Sequence, residues 1–467
     1  MGNFLQNLTG CTVHMVGIGG ISMSGLCEIL LNMGINVTGS DNANSLNIER
    51  LRMKNVPILL TQESSNIKDQ KLVVYTAAMP VDHPELEAAR KKGIPVIDRA
   101  TLLGNVMQMF NKSIAVSGTH GKTTTTSMIS SCLLEAGKDP TLHIGGILDS
   151  IGGTTRIGKS SYFVTEACEY KDSFLKFHPY MGVILNIEPD HLDYFRDLDQ
   201  IIRSFSSFAS QIPPKGICIG NVDDEHIAQL LEQLECRTIS YGLTSPNASW
   251  TARNISFDET GLASFHVVYN KKSILRIKLS VPGLHNVSNS IACFCACYAL
   301  GIPTGIIRSS LRKFTGTRRR FEHKGMINGI KVVDDYAHHP TEVIATLKAA
   351  RGSTRGKILC VFQPHTYSRT MELMDEFSQA FTMADKVYIT DIYAARENDT
   401  GMVNSSNLVD KINQYMNNAV YIPAFKDIVD QLIQDSSPGD MILTMGAGNV
   451  DQISELFLLE KKTRAVV

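Results

Sequence analysis

The run Ile114-Ala115-Val116-Ser117-Gly118-Thr119-His120-Gly121-Lys122-Thr123-Thr124 constrains this chain more than any other stretch. A β-branched segment climbs into two glycines and then Lys-Thr. Beyond it, Met128, Ile129, Cys132, Leu133 and Ala136 fall on one helical face, with Gly137 placed to end the helix. Strand, glycine turn and helix start, in that order, aim backbone N–H groups and a helix N-terminus at a phosphate. Lys122 can reach β- and γ-phosphates, and the Thr123 hydroxyl can ligate Mg²⁺. Gly118 and Gly121 enclose two residues where the generic phosphate loop has four, so a plain strand–loop–helix corner with a surface lysine is the alternative.

The segment before this loop reads as a smaller nucleotide-binding α/β unit. Cys11 to Val16 is a strand, and Gly17-Ile18-Gly19-Gly20-Ile21-Ser22 a glycine turn. Leu26, Ile29, Leu30 and Met33 form a helix face closed by Gly34. A second strand, Ile35 to Gly39, ends in Ser40-Asp41, where a dinucleotide-binding fold keeps its ribose acid. Ser22 occupies the third glycine position of that fingerprint, so the turn also fits simple tight packing. Leu72 to Ala78 is a further strand, and its small end at Thr76 lets backbone approach a ligand.

After the phosphate loop, Tyr162 to Thr165 predicts a strand delivering Glu166, a Mg²⁺ ligand by position. Glu169 is better placed as a solvated carboxylate capping the next helix. Met181 to Ile187 predicts a strand stopped by Pro189, which presents His191 among carboxylates as either a ligand or a structural histidine. Residues 236–282 alternate polar and apolar and suggest appended antiparallel strands. Pro282-Gly283 then feeds a helix whose first turn offers His285, Asn286 and Asn289, more than capping alone would use.

Composition changes around Phe314 to Glu322, where Arg318, Arg319 and Arg320 sit in a predicted hinge and one guanidinium could meet developing phosphate charge. Beyond it, strands at 330–333, 357–362, 387–390 and 441–444 each deliver polar or glycine residues at one edge, the site geometry of an open parallel sheet. His338, His339, His365 and Arg369 have no apolar periodicity to make them core. Zinc is conceivable there, but no third or fourth ligand has fitting spacing.

The expected fold is therefore α/β in three domains, each built on a mainly parallel sheet. They are a Rossmann-like unit at 1–110, a P-loop ATPase-like unit with extra antiparallel strands at 111–317, and a second Rossmann-like unit at 318–467. A net charge of −1 gives no electrostatic footprint for nucleic acid or an anionic membrane. No run reaches membrane-spanning length and no secretory signal is read at the start, so a cytoplasmic monomer or homodimer is expected. The ten cysteines show no metal spacing; Cys293, Cys295 and Cys297 alternate in a helical run and are expected to point away from one another.

Gly118-Thr119-His120-Gly121-Lys122-Thr123-Thr124-Thr125, Asn186 to Asp193, Pro282 to Asn289, Arg319-Arg320-Phe321-Glu322, Asp334 to Pro340 and Gln363 to Thr370 together resemble the Mur ligase family. The match spans all three units in order. It implies an ATP- and Mg²⁺-dependent enzyme of peptidoglycan synthesis that joins L-alanine to the carboxylate of UDP-N-acetylmuramate through an acyl phosphate. Residues 118–124 would then cradle the ATP phosphates, and Thr123, Glu166 and His191 would organise Mg²⁺. His285, Asn286 and Asn289 would surround adenine, with Arg320 near the phosphates and Asp335 by the ribose. Gly17, Gly19, Gly20, Ser22, Asp41 and Thr76 would take the UDP moiety. Tyr336, His338, His365 and Arg369 would face the muramate carboxylate and the incoming alanine, with Lys122, His191, Arg320, His338 and Arg369 closest to the chemistry. Thr366 stands where some members have arginine, and the division of ATP ligands between two units implies closure. The rivals are a ligase that transfers a preformed tripeptide, an NAD-dependent oxidoreductase using the Gly17 turn, and a non-catalytic ATP switch.

Overall fold

The computed structural model describes residues 4–76, 79–80 and 82–465; Ala77 and Ala78, predicted as a strand end, lie outside the described residues. The first sheet contains β1 (Thr12–Val16), β2 (Asn36–Ser40), β3 (Ile58–Leu59), β4 (Leu72–Tyr75) and β5 (Val96–Asp98). All pair in parallel, in the order β3-β2-β1-β4-β5. Helices α1 (Ile21–Asn32), α2 (Leu46–Met53), α3 (Pro84–Lys91) and α4 (Arg99–Met107) complete the unit. The chain leaves β1 in one direction and returns at β4 in the other, so the crevice of this sheet opens between the Gly17 turn and Thr76.

The central sheet has ten strands, β6 (Lys112–Ser117), β7 (Thr141–Leu148), β8 (Gly153–Arg156), β9 (Tyr162–Glu166), β10 (Met181–Ile184), β11 (Ile217–Asn221), β12 (Arg237–Tyr241), β13 (Trp250–Phe257), β14 (Leu262–Tyr269) and β15 (Lys272–Pro282). Their order is β15-β14-β13-β12-β11-β10-β6-β9-β7-β8, which puts the phosphate-loop strand β6 well inside the sheet. The helices are α5 (Lys122–Glu135), α6 (Leu198–Ser210), α7 (Glu225–Glu232), α8 (Leu284–Ala299) and α9 (Thr304–Lys313). β13, β14 and β15 are antiparallel as expected, but β12 is parallel to β11, and a further antiparallel pair, β7 with β8, closes the other edge. β10 stops at Ile184 rather than Ile187: Leu185 N still donates to Ser117 O, and Asn186 then turns back to brace the phosphate loop.

The α5 sequence is rich in β-branched threonine, a poor helix former. Burial of Met128, Ile129, Cys132 and Leu133 against α8 and α9 supplies what propensity withholds, at roughly 1.5–3 kcal/mol per large side chain. α8 is buried almost all round, so its cysteines correct the sequence reading. Cys293 and Cys297 are four residues apart, share a face and meet Cys132 of α5, with Cys132 Sγ 3.7 Å from Cys293 Sγ. Only Cys295 points elsewhere. Burial pushes the Cys293 thiol up, and the three sulfurs pack as one buried cluster between α5 and α8.

The third sheet contains β16 (Glu322–Ile327), β17 (Ile330–Asp335), β18 (Ile358–Phe362), β19 (Lys386–Ile389), β20 (Ala419–Tyr421) and β21 (Met441–Met445), in the order β16-β17-β21-β18-β19-β20. Five strands run parallel, and β16 adds an antiparallel edge. It is flanked by α10 (Pro340–Ser353), α11 (Tyr367–Glu372), α12 (Met374–Ala380), α13 (Ser405–Asn413), α14 (Phe425–Asp435) and α15 (Asp451–Ala465). The carboxyl end of β17 carries Asp335 to a cavity shared with the central unit, while Gln363 after β18 bonds Asn449 within its own unit. Among the described residues, no helix is long and apolar enough to cross a membrane.

Candidate active site

Backbone shape builds the phosphate loop first. Gly118 at φ +135° and Gly121 at φ +83° adopt conformations that side chains resist, and a Cβ at Gly121 would stand 2.7 Å from Asn289 Oδ1. Asn186 clamps the loop. Its Oδ1 accepts from His120 N at 2.7 Å, its Nδ2 donates to His120 O at 3.1 Å, and its backbone O accepts from Thr119 N. Lys122 opens α5 and folds back over the loop, donating to Gly118 O, to Thr119 O at 3.0 Å and to Glu169 Oε2 at 3.0 Å. Burial alone would lower its pKa; Glu169 raises it well above the ordinary lysine value, so Lys122 is charged.

Glu169 therefore corrects a second expectation. It is 2% exposed and neutralises Lys122. Left-handed Lys171 and Asp172, at φ +53° each, turn the chain after β9 back over the loop. Beside this pair, Thr123 Oγ1 donates to Glu166 Oε2 at 3.0 Å, and Gly145 N donates to Glu166 Oε1 at 2.7 Å. A carboxylate and a hydroxyl on the first helical turn form an oxygen corner that suits Mg²⁺. His191, at φ +55°, stacks on Tyr170 with ring centroids 4.6 Å apart and lines a different cavity.

Two cavities lie between the central and C-terminal units. The first, about 300 Å³, gathers His120, Gly121, Thr124, His285, Asn286 and Asn289 from one side with Arg320 and Asp335 from the other. Asn286 donates to Pro282 O at 2.7 Å and accepts from Asn289 at 3.2 Å, bracing the start of α8. Burial pulls His285 down to about 4, leaving it neutral. Burial also pushes Asp335 up to about 6, although it accepts from Phe321 N and Ala337 N. The three consecutive arginines separate cleanly. Arg318 pairs with Asp149 at the surface, Arg319 ties Asp334 to the carbonyls of Gly446 and Gly448, and Arg320 enters the cavity.

The second cavity, about 470 Å³, is lined by Tyr336, His365, Arg369, Asp190 and His191. Arg369 Nη2 is 2.9 Å from Asp190 Oδ1, and its Nη1 donates to His365 Nδ1 at 3.2 Å. Burial and Arg369 pull His365 down to about 4, and burial pulls His338 down to about 3, so both are neutral. His338 Nδ1 donates to Tyr336 O at 2.9 Å, which leaves Nε2 as the free lone pair. Thr366, at φ +66°, caps α11 by accepting from Arg369 N. His339 Nδ1 accepts from Thr341 N, so its Nε2–H donates to Pro189 O at 3.1 Å. His120, Glu188 and His339 lie close together, but that tautomer makes His339 a strut between units rather than a metal ligand.

At the first sheet, the glycine turn is closed on itself. Gly17 N and Ile18 N donate to Ser40 O, Gly19 N to Asp41 Oδ2 at 2.9 Å, and Gly20 N to Gly17 O. Thr76 stands so close that a Cβ on Gly17 would meet its methyl at 2.7 Å. Ser22, on the first turn of α1, bonds His143 Nε2 at 2.8 Å and accepts from Arg99 at 3.0 Å, linking this unit to the central one.

Sequence reasoning missed Glu342, Asn186, Glu188, Asp190 and Arg99 as site residues. A signal existed for Glu342, which lies three residues past the His339 cap of α10, the spacing of a capping acid. Asn186, Glu188 and Asp190 stood inside a recognised motif, but only the fold shows that they touch the phosphate loop and the C-terminal unit.

Comparison with known proteins gives three family matches: "Mur ligase family, catalytic domain" at residues 12–111, "Mur ligase middle domain" at 116–297 and "Mur ligase, glutamate ligase domain" at 319–448. A protein of Acetivibrio thermocellus named UDP-N-acetylmuramate–L-alanine ligase is 54% identical over 97% of this chain and 97% of its own. One of the same name from Caldanaerobacter subterraneus is 50% identical, covering 96% of this chain and 98% of its own. Among solved structures, UDP-N-acetylmuramate–alanine ligase of Thermotoga maritima superposes with a TM-score of 0.82 at 28% identity, covering 97% of this chain and all (100%) of that one. A murein peptide ligase of Psychrobacter arcticus gives 0.73 at 26% identity, covering 97% and 99%.

Proposed function

From the premise that the chain belongs to the Mur ligase family, we propose that it joins L-alanine to the carboxylate of UDP-N-acetylmuramate at the expense of ATP, with an acyl phosphate between. The observation that carries this reading is a pair of cavities between the central and C-terminal units. One is lined by His120, Gly121 and Thr124 around the start of α5, which Lys122 opens, and the other by Arg369 and the neutral His365. The products are UDP-N-acetylmuramoyl-L-alanine, ADP and phosphate. A cytoplasmic setting fits these substrates.

We assign residues 1–110 to the UDP-sugar, 111–317 to ATP and 318–467 to the amino acid. With the Gly17-turn amides committed internally, the first turn of α1, Ser22 and Arg99 remain to meet the diphosphate. His285, Asn286 and Asn289 hold adenine, and Asp335 holds the ribose. Thr123 and Glu166 would hold Mg²⁺, which when bound supplies positive charge to the β- and γ-phosphate oxygens. His191 in the second cavity would reach it only through water or substrate.

A carboxylate is a poor acyl donor. Its oxygen attacks the γ-phosphorus as the bond to ADP breaks, and Lys122 and Arg320 neutralise the moving charge. Alanine must then lose a proton before its nitrogen can attack the carbonyl carbon. That proton goes to water, and His338 Nε2 is the unclaimed acceptor that can orient the neutral amine, because His365 already accepts from Arg369. The tetrahedral adduct collapses as the carbon–oxygen bond to phosphate breaks. Arg369, bonded to Asp190 here, offers its fork to a substrate carboxylate.

The test is phosphate release with ATP, Mg²⁺, UDP-N-acetylmuramate and L-alanine, omitting each in turn. Release that needs all four supports the reading. A tripeptide replacing alanine at equal or better kcat/KM would favour the recycling reaction instead.

A further inference from the structure

Glu342 touches groups from three separate parts of the site. Its Oε1 lies 3.2 Å from Nδ1 of His120 in the phosphate loop and 3.9 Å from Arg320 at the start of the C-terminal unit. Its Oε2 accepts from the backbone N–H of His338 at 3.1 Å and lies 3.3 Å from that residue's Nδ1. The side chain is 13% exposed, and it stands on the first turn of α10, whose helix N-terminus favours a negative charge. Burial would push its carboxyl up, but the neighbouring imidazoles and the Arg320 guanidinium hold it well below the carboxylate range.

We propose that Glu342 is a positioning residue of the ligation: by holding His120, Arg320 and His338 on one carboxylate, it makes nucleotide binding in the first cavity set the position of His338, whose ring lies 5.6 Å, centroid to centroid, from that of His365 in the second. The inference rests on the ligase reading above. His120 belongs to the phosphate loop, Arg320 enters the first cavity, and His338 keeps Nε2 as an acceptor because its Nδ1–H is aimed at Tyr336 O. Arg320 and His338 ride with Glu342 on the C-terminal unit and His120 on the central unit, so the His120 contact is made only when the units are together. A gap of an ångström at any of the three would cost the reaction its alignment.

The test uses Glu342→Gln, which keeps the shape and removes the charge, and Glu342→Asp, which keeps the charge and shortens the reach. Glu342→Gln is expected to lower kcat by roughly 100-fold, with Glu342→Asp recovering part of that loss. A Glu342→Gln enzyme with near-parental kcat would overturn the proposal. So would a loss that tracks a fall in melting temperature and that Glu342→Asp does not reduce. Hydrogen exchange supplies a readout that needs no turnover. The ATP analogue AMP-PNP should protect both 118–122 and 336–342 in the parent, but only 118–122 in Glu342→Gln; equal protection of both in the variant would refute the coupling. A parent inactive on the four substrates would sink the ligase reading, and the exchange comparison would still decide Glu342.

Discussion

Lys122 keeps its proton in a place where burial would normally remove it, because Glu169 lies against it. Substrate phosphates would take over that role during turnover. Lys122→Ala should therefore abolish phosphate release while UDP-N-acetylmuramate binding, measured by calorimetry, survives. Asp335 makes the opposite argument. Burial holds its carboxyl up at about 6, so the folded protein keeps this proton at pH values where the unfolded chain, titrating near about 3.9, has lost it. This residue therefore withdraws stability as pH rises between those values. Urea unfolding of Asp335→Asn should show the variant gaining on the parent by up to about 3 kcal/mol from pH 4 to 7; a pH-independent difference would show that Asp335 does not titrate there. Lys122, Thr123 and Glu166 were legible in the sequence because a phosphate loop fixes their spacing. Asp190 was not, since its partner Arg369 is more than a hundred residues away, and the capping spacing that marks Glu342 does not reveal its contact with His120.

At the scale of elements, α5 has the composition of a strand and the structure of a helix. Packing decides it: Leu133 is fully buried against the central core, and Leu133→Ala should cost about 3 kcal/mol in denaturant unfolding. A loss below 1 kcal/mol, within the range of a surface change, would mean that α5 is not held by that face. The β–α alternation of all three units was readable from apolar runs ending in polar or glycine residues. The edges were not. β8 and β16 are short antiparallel additions whose pairing is set by neighbours, and β12 alternates like an antiparallel strand yet lies parallel to β11. Alternation reports that one face is exposed, not which way the partner runs. The same limit explains the cysteines, because helical spacing gave the face of Cys293 and Cys297 but not that Cys132 of α5 would meet it.

At the scale of the whole molecule, one short loop joins the central and C-terminal units. Glu188 accepts from Thr341, Pro189 O from His339, and Asp190 from Arg369, all across the junction. Burial opposes the charge on Asp190, yet His191 and Arg369 hold its carboxyl well below the usual range, so the cross-unit pair persists throughout the physiological pH range. Asp190→Asn should increase the radius of gyration in small-angle X-ray scattering without nucleotide; an unchanged radius would place the closing force elsewhere. All these contacts serve one act, the passage of a phosphoryl group onto the sugar acid. The most direct measurement labels both carboxylate oxygens of UDP-N-acetylmuramate with ¹⁸O and follows turnover with ATP and L-alanine. Activation through an acyl phosphate requires one labelled oxygen in each phosphate released; phosphate free of label would contradict it.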